Sequence, residues 1–200
     1  MGLDHEVQAV RMTAPGVPGR HFIQVAFVVE DLDAACMGWI DTTGIGPFLK
    51  APNIVLQEYD YRGRKSSGLE FSVALAQSGG VQIELIEQHG DAPSAYRDTI
   101  AAGGQGFHHL AIYTDDYDRV LDDYLARGFA TAVGGTFGSM RFAYVDTSAV
   151  IGCMVEIIEE DPMQTDFFRR VAAAAEAWDG LTDPIRPAFP APLSAESSKE

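Results

Sequence analysis

Basic residues are scarce in this chain of 200 residues: 14 Lys and Arg stand against 29 Asp and Glu, for a formal net charge of −15 at pH 7. Lysine occurs only at positions 50, 65 and 199. A field of that sign repels the polyanionic backbone of nucleic acids and anionic membrane surfaces, which argues against both as partners. Cysteine is limited to Cys36 and Cys153, with no CxxC spacing, so neither a disulfide framework nor a cysteine zinc site is expected. No apolar run approaches the ~18 residues of a membrane span. The first twenty residues, with Pro15, Gly16, Pro18 and Gly19, lack the apolar core of a signal peptide. These absences lead to the expectation of a soluble cytoplasmic protein. What is abundant is apolar surface: 46% of the residues are hydrophobic and 10% of the chain is aromatic, which excludes disorder and fibrous folds and supplies a core.

The sequence repeats itself. Residues 24–35, QVAFVVEDLDAA, align without gaps with residues 109–120, HLAIYTDDYDRV, and residues 81–88, VQIELIEQ, align with residues 153–160, CMVEIIEE. The first pair reads as a strand entering a helix, with Asp31 or Asp116 as N-cap and Gly44 or Gly128 as the stop. Short β-rich runs follow at 53–62, 69–77 and 81–88, and again at 129–133, 140–146 and 154–159. Each copy is then βαβββ. The expected fold is α+β: two tandem modules forming one cup-shaped mixed sheet, followed by a C-terminal helix and an extended tail. The expected divisions are an N-terminal extension at 1–20, modules at 21–90 and 107–160, a glycine-rich linker at 91–106, and the helix and proline-rich tail at 161–200. In that last segment Phe167, Val171, Ala174 and Trp178 recur at helical spacing after Pro162, a stripe suited to packing on its own domain or on a second subunit of a homodimer.

Side chains alternate between the faces of a strand, so residues of equal parity share a side. Phe22, Gln24, Ala26 and Val28 form one such set, and Phe107, His109, Ala111 and Tyr113 form its repeat. Gln24 and His109 are therefore equivalent, and so are Glu84 and Glu156 in the closing strands. Both glutamates sit in apolar runs, where an unpaired carboxylate costs several kcal/mol or surrenders its charge. One amide oxygen, one imidazole and two carboxylates make a four-ligand set suited to a divalent ion such as Zn²⁺, Mn²⁺, Co²⁺ or Ni²⁺. His108 and His21 have the opposite parity and are expected outside that set. Gln82, Tyr59, Phe71 and Arg141 are candidate substrate contacts. Arg141 reads equally as a surface ion pair in an acidic protein.

The duplicated βαβββ pattern, the start IQVAFVVEDLDAA and the segments VQIELIE, GFHHLAIYTDD and MVEIIEED resemble the vicinal oxygen chelate superfamily, which includes glyoxalase I, methylmalonyl-CoA epimerase, extradiol dioxygenases and antibiotic-resistance proteins. The resemblance covers about residues 21–160. It implies a cup with metal ligands on the first and last strands of each module, which fall here on Gln24, Glu84, His109 and Glu156. The ligand set is most similar to that of zinc-type glyoxalase I, whereas GFHHLAI and GIGPF are more similar to the epimerase branch. Val28 stands where glyoxalase I has a glutathione-binding arginine, the epimerase branch has histidine at the position of Gln24, and a ring-cleaving dioxygenase needs a second histidine ligand.

These readings lead to the expectation of a metal-dependent lyase, isomerase or epimerase acting on a small carbonyl-containing molecule. Its catalytic groups would be Glu156 and Glu84, taking an α-proton while the ion stabilises the enediolate. The alternative is a cup that sequesters a hydrophobic compound without turnover, with a ring-cleaving dioxygenase as a more distant third.

Overall fold

The computed structural model describes residues 21–189; the N-terminal extension expected at 1–20 and the end of the tail, including Pro190, Pro192 and Lys199, lie outside the described residues. Strand β1 (Phe22–Val28) leads into helix α1 (Leu32–Thr43), then β2 (Phe48–Leu56), a hairpin of β3 (Tyr59–Tyr61) and β4 (Arg64–Ser66), β5 (Leu69–Ser78) and β6 (Val81–His89). After the short helix α2 (Ala95–Thr99) come β7 (Gly106–Thr114), α3 (Tyr117–Leu125), β8 (Ala130–Phe137), β9 (Met140–Asp146), the turn α4 (Ser148–Ile151) and β10 (Met154–Glu159). Helix α5 (Pro162–Glu176) and β11 (Ile185–Pro187) close the chain. The strands form one sheet in the order β11-β2-β5-β6-β1-β7-β10-β9-β8-β3-β4. This is the expected α+β cup.

The order reads the same outward from its centre. β6 lies parallel beside β1 and β10 parallel beside β7, with Ala26 opposite Glu84 and Ala111 opposite Glu156. At the centre β1 and β7 run antiparallel, pairing Gln24 with Ala111 and Ala26 with His109. These two pairs exchange under the repeat. Each central strand also carries one extra residue: Ile23 between the pairs Phe22–Ile112 and Gln24–Ala111, and His108 between Phe27–Phe107 and Ala26–His109. A bulge of this kind breaks the strict alternation of faces. Phe107 consequently does not share the face of His109, as strict alternation predicts; its ring meets Phe27, 5.5 Å away, on the outer side.

Three larger apolar clusters pack on this sheet, beside a small one of Ala111, Met140 and Ile158. α1 covers one outer flank through Leu32 and Cys36, against Ala74, Ala76, Ile83 and Leu85. α3 covers the other through Tyr117, Val120 and Tyr124, against Ile112, Val145 and Ile157. The largest cluster fills the cup, and Phe167 and Val171 of α5 drop into it. The stripe predicted on that helix packs on its own chain, and Trp178 lies against Gly46, where an added Cβ meets its ring at 2.7 Å.

Local differences from the sequence reading have identifiable causes. The strand expected at 53–62 is divided: β2 starts five residues earlier at Phe48, bulges between Ala51 and Ile54 where Asn53 takes φ 53°, and stops at Leu56. Tyr59–Tyr61 belongs to the β3–β4 hairpin, which crosses to the far edge and pairs Asp60 with Gly134 and Tyr61 with Val133 of β8. α3 ends at Leu125, before Gly128, because the N–H groups of Arg127 and Gly128 turn back onto the carbonyls of Tyr124 and Leu125. The tail is partly strand: β11 pairs in parallel with β2, from Ile185–Phe48 to Pro187–Lys50. Among the described residues both cysteines are free, and no helix is long and apolar enough to cross a membrane.

The two helix starts differ in strength. Asp31 accepts from the Ala34 N–H at 2.9 Å, while Asp116 makes no capping bond and pairs with Arg119. Asp31→Ala is expected to lower unfolding free energy by about 1 kcal/mol and Asp116→Ala by less than about 0.5 kcal/mol. Urea denaturation of both variants measures the difference, and equal losses would contradict the assigned caps.

Candidate functional site

Buried ionisable groups gather on the concave face where the two halves meet. His109 Nε2 lies 3.1 Å from Glu156 Oε2 and 3.4 Å from Glu84 Oε2. Ligand atoms of these three residues all fall within 4.8 Å of one another. Gln24 joins Glu84 and Glu156 in the wall of the same cavity. Its position follows from Ile23, the extra residue that sets the phase of β1, as His108 sets that of β7.

The partners of the ring nitrogens set the tautomers of the two histidines. His108 is fully buried, and burial together with His109 pushes its ring down to about 3, so it is neutral. Its Nε2 stands 2.9 Å from the carbonyl oxygen of Ala95 and must carry the proton, leaving Nδ1 as an acceptor. That Nδ1 is 2.9 Å from Nδ1 of His109, which therefore donates. His109 Nε2 then faces the two carboxylates. Gln24 Oε1, Glu84 Oε2 and His109 Nε2 are all buried without a hydrogen-bond partner among the described residues. Acceptors facing acceptors in a dry site require a cation or a shared proton. Nitrogen and oxygen donors of this kind fit a divalent transition metal, and the contact from His108 is the outer support that such a ligand normally has.

The cavity above these groups has a volume of about 110 Å³, comparable to the space that admits one small ring. Beyond the polar floor its walls are largely apolar, with Phe71, Leu75, Val133, Phe142, Ile158, Phe167 and Phe168 among them, and neither Lys nor Arg lines it among the described residues. Tyr96, Tyr144 and Gln164 complete the polar set, the two hydroxyls 3.2 Å apart. Burial, and then the charges of Glu84 and Glu156, push the Tyr96 phenol well above its usual range; burial and then Glu156 do the same to Tyr144.

The sequence-predicted contacts divide accordingly. Phe71 lines the cavity. Gln82 is buried beside Gln24, whose Nε2 donates a long 3.5 Å bond to its Oε1, and it does not line the cavity. Tyr59 is also excluded: its hydroxyl donates to the Pro93 carbonyl at 2.6 Å, inside the core. Arg141 lies on the outer face, because alternation along β9 sends Met140, Phe142 and Tyr144 inward and Arg141 outward. There it meets Glu159 at 2.6 Å and Asp118 at 2.7 Å above the Tyr117 ring, the surface ion pair that was its other reading. Sequence reasoning missed Tyr144, although its parity with Phe142 pointed inward. It also missed Tyr96, placed by a helix inside a segment read as linker.

Burial and the charge of Glu156 push the Glu84 carboxyl well above its ordinary value of 4.5. Without a bound ion, the folded chain then holds this proton more tightly than the unfolded chain. The stabilisation is complete below pH 4.5 and is lost as pH rises toward the raised value. In chelator-treated protein, Glu84→Gln is expected to melt higher than wild type at about pH 8 and to lose part of the decline in melting temperature seen from about pH 5 upward. Thermal melts across that range decide it, and identical pH slopes would show that Glu84 carries no such penalty.

No curated protein matches the chain by sequence. A hypothetical protein from Bacillus halodurans C-125 is similar in structure, with 16% identity and a TM-score of 0.50 over 70% of this chain and 94% of its own. Methylmalonyl-CoA epimerase from Mycobacterium tuberculosis is similar at 18% identity and a TM-score of 0.48, over 72% of this chain and 91% of that one. The Streptomyces coelicolor methylmalonyl-CoA epimerase in complex with 2-nitronate-propionyl-CoA gives 19% identity and a TM-score of 0.40, over 70% and 96%. The first of these shares the fold. The sequence profile of the Glyoxalase/Bleomycin resistance protein/Dioxygenase superfamily matches residues 23–144, and the chain belongs to that superfamily.

Proposed function

We propose that this protein is a metal-dependent enzyme that removes a proton α to a carbonyl in a small, uncharged, largely apolar substrate, with an isomerase, epimerase or lyase outcome. The reading is carried by the buried acceptors Gln24 Oε1, Glu84 Oε2 and His109 Nε2, which share one cavity floor or its edge with Glu156 and have no donor among the described residues. In this reading residues 21–90 and 107–160 each supply half of the site, with Gln24, Glu84, His109 and Glu156 as ligands. A bound divalent ion supplies positive charge to oxygen as negative charge develops on it.

The chain's own residues do the rest. His108 holds the His109 ring with Nε2 facing the carboxylates. The apolar walls exclude water, so charge on the floor is weakly screened. Glu156 is the candidate base, and Glu84, whose proton affinity burial raises, is the second. The missing cations set the substrate class: with two carboxylates below and no Lys or Arg in the described walls, an anionic head group has no partner. A CoA ester or glutathione adduct does not suit such a pocket, whereas a ketone with a neighbouring hydroxyl does. The same apolar walls support a second reading, sequestration of a hydrophobic compound without chemistry.

Metal analysis of the purified full chain and its melting temperature with Zn²⁺, Mn²⁺, Co²⁺ or Ni²⁺ test the first reading. Uptake of about one ion per chain, loss of uptake in His109→Ala, and enzyme-dependent exchange of the α-protons of 2-hydroxyacetophenone with D₂O are the expected results. Glu156→Gln is expected to keep substantial metal and lose exchange. Absence of uptake together with absence of stabilisation by any of the four ions would favour sequestration.

A further inference from the structure

Two hydroxyls in the cavity have no role in the reaction described above. Tyr96 of α2 and Tyr144 of β9 both line the cavity and are 4% and 5% exposed. Their ring edges are fixed by neighbours: each packs against His108, with centroids 5.2 and 5.7 Å away, and Tyr144 also packs against His109 at 5.1 Å. The two oxygens are thus positioned by aromatic packing as well as by the 3.2 Å contact between them.

A proton count leaves one hydrogen without an acceptor. Two phenols carry two protons, and one of them occupies the line between the oxygens. The accepting phenol still has its own O–H, and no described residue accepts from it. Burial and the facing carboxylates keep both phenols protonated. The carboxylates are not the acceptors, since neither Glu84 nor Glu156 receives a bond from either hydroxyl in the structure. An O–H that is polarised by a second O–H, on a residue that lines a cavity with largely apolar walls, is a site for a ligand oxygen. The two carboxylates repel an anion there, and no described cation lines the walls to offset that repulsion.

We propose that the Tyr96–Tyr144 hydroxyl pair is a binding subsite for the uncharged carbonyl oxygen of an aryl or alkyl ketone, to which it donates one hydrogen bond. The inference rests on the same cavity as the proposed function and names the group its substrate presents. The pair acts as a unit. Whichever phenol accepts from the other holds the outward proton, so one tyrosine is the direct donor and the other strengthens it.

Acetophenone, labelled with ¹³C at the carbonyl, is the probe, and the C=O stretch of the bound ketone is the measurement. It is made on the full chain, once after chelator treatment and once with added Zn²⁺. In wild type the chelator-treated band is expected below its position in hexane. In the double variant Tyr96→Phe/Tyr144→Phe it is expected back near the hexane value, with affinity reduced about tenfold, the usual effect of one lost hydrogen bond. One single variant should match the double, and the other should shift less. A loss of packing alone would change affinity but leave the band where it was. A band unaltered in the double variant, or ketone uptake that does not saturate in wild type, would overturn the subsite. The metal-free measurement separates the two ideas: a shifted band in a chain that takes up no ion overturns the metal reading only, and an unshifted band in a chain that binds metal overturns the subsite only.

Discussion

Strands β1 and β7 meet antiparallel at the middle of the sheet, and this backbone pairing joins the two halves of the cup. Each strand carries one extra residue on the side leading into its polar position, Ile23 before Gln24 and His108 before His109. The phase of both strands is set at these bulges, so a one-residue slip would send Gln24 and His109 out of the floor. Because β6 and β10 register directly on the central strands, Glu84 and Glu156 follow the same phase. The floor is therefore specified by main-chain hydrogen bonds, and its side chains need no flexible loop to bring them together.

That rigidity holds groups that repel one another. A buried, mutually repelling carboxylate pair works against folding when no cation is present. The structure compensates around it. Phe167 and Val171 seal the cup from above, α1 and α3 cover the outer faces, and the bond from His108 to Ala95 ties the floor to α2. Strain at the floor and close packing around it are two aspects of one arrangement, as expected where a site is kept ready for a ligand.

The fold was legible because the duplication was: QVAFVVEDLDAA and HLAIYTDDYDRV predict two equal halves, and alternation assigns Gln24, Glu84, His109 and Glu156 to a shared face. Alternation fails only where the backbone departs from it. The bulge at His108 separates Phe107 from His109 and turns His108 toward its neighbour, and no local residue preference announces that extra residue. Arg141 and Tyr59 failed for another reason. Their residue types suit substrate contact, but their faces and partners are decided by strands distant in sequence. Tyr96 lay in a stretch without periodicity, where five helical residues give no pattern to read.

The β3–β4 hairpin leaves the first half of the chain and pairs with β8 of the second, joining Asp60 to Gly134 and Tyr61 to Val133. Arg62 reinforces the seam through Asp98 at 2.7 Å and Asp146 at 2.8 Å. β3 and β4 pair with each other, but a ribosome must deliver β8 before the outer edge of β3 has a partner, so the first half emerges with that edge open. Contacts of such sequence separation are closed late and slowly. During synthesis, the exposed edges of β3 and β4 are where a nascent copy would meet a neighbouring nascent copy, and the charges of Asp60, Arg62, Arg64 and Lys65 on this short hairpin are the kind that discourage strand-to-strand association between molecules.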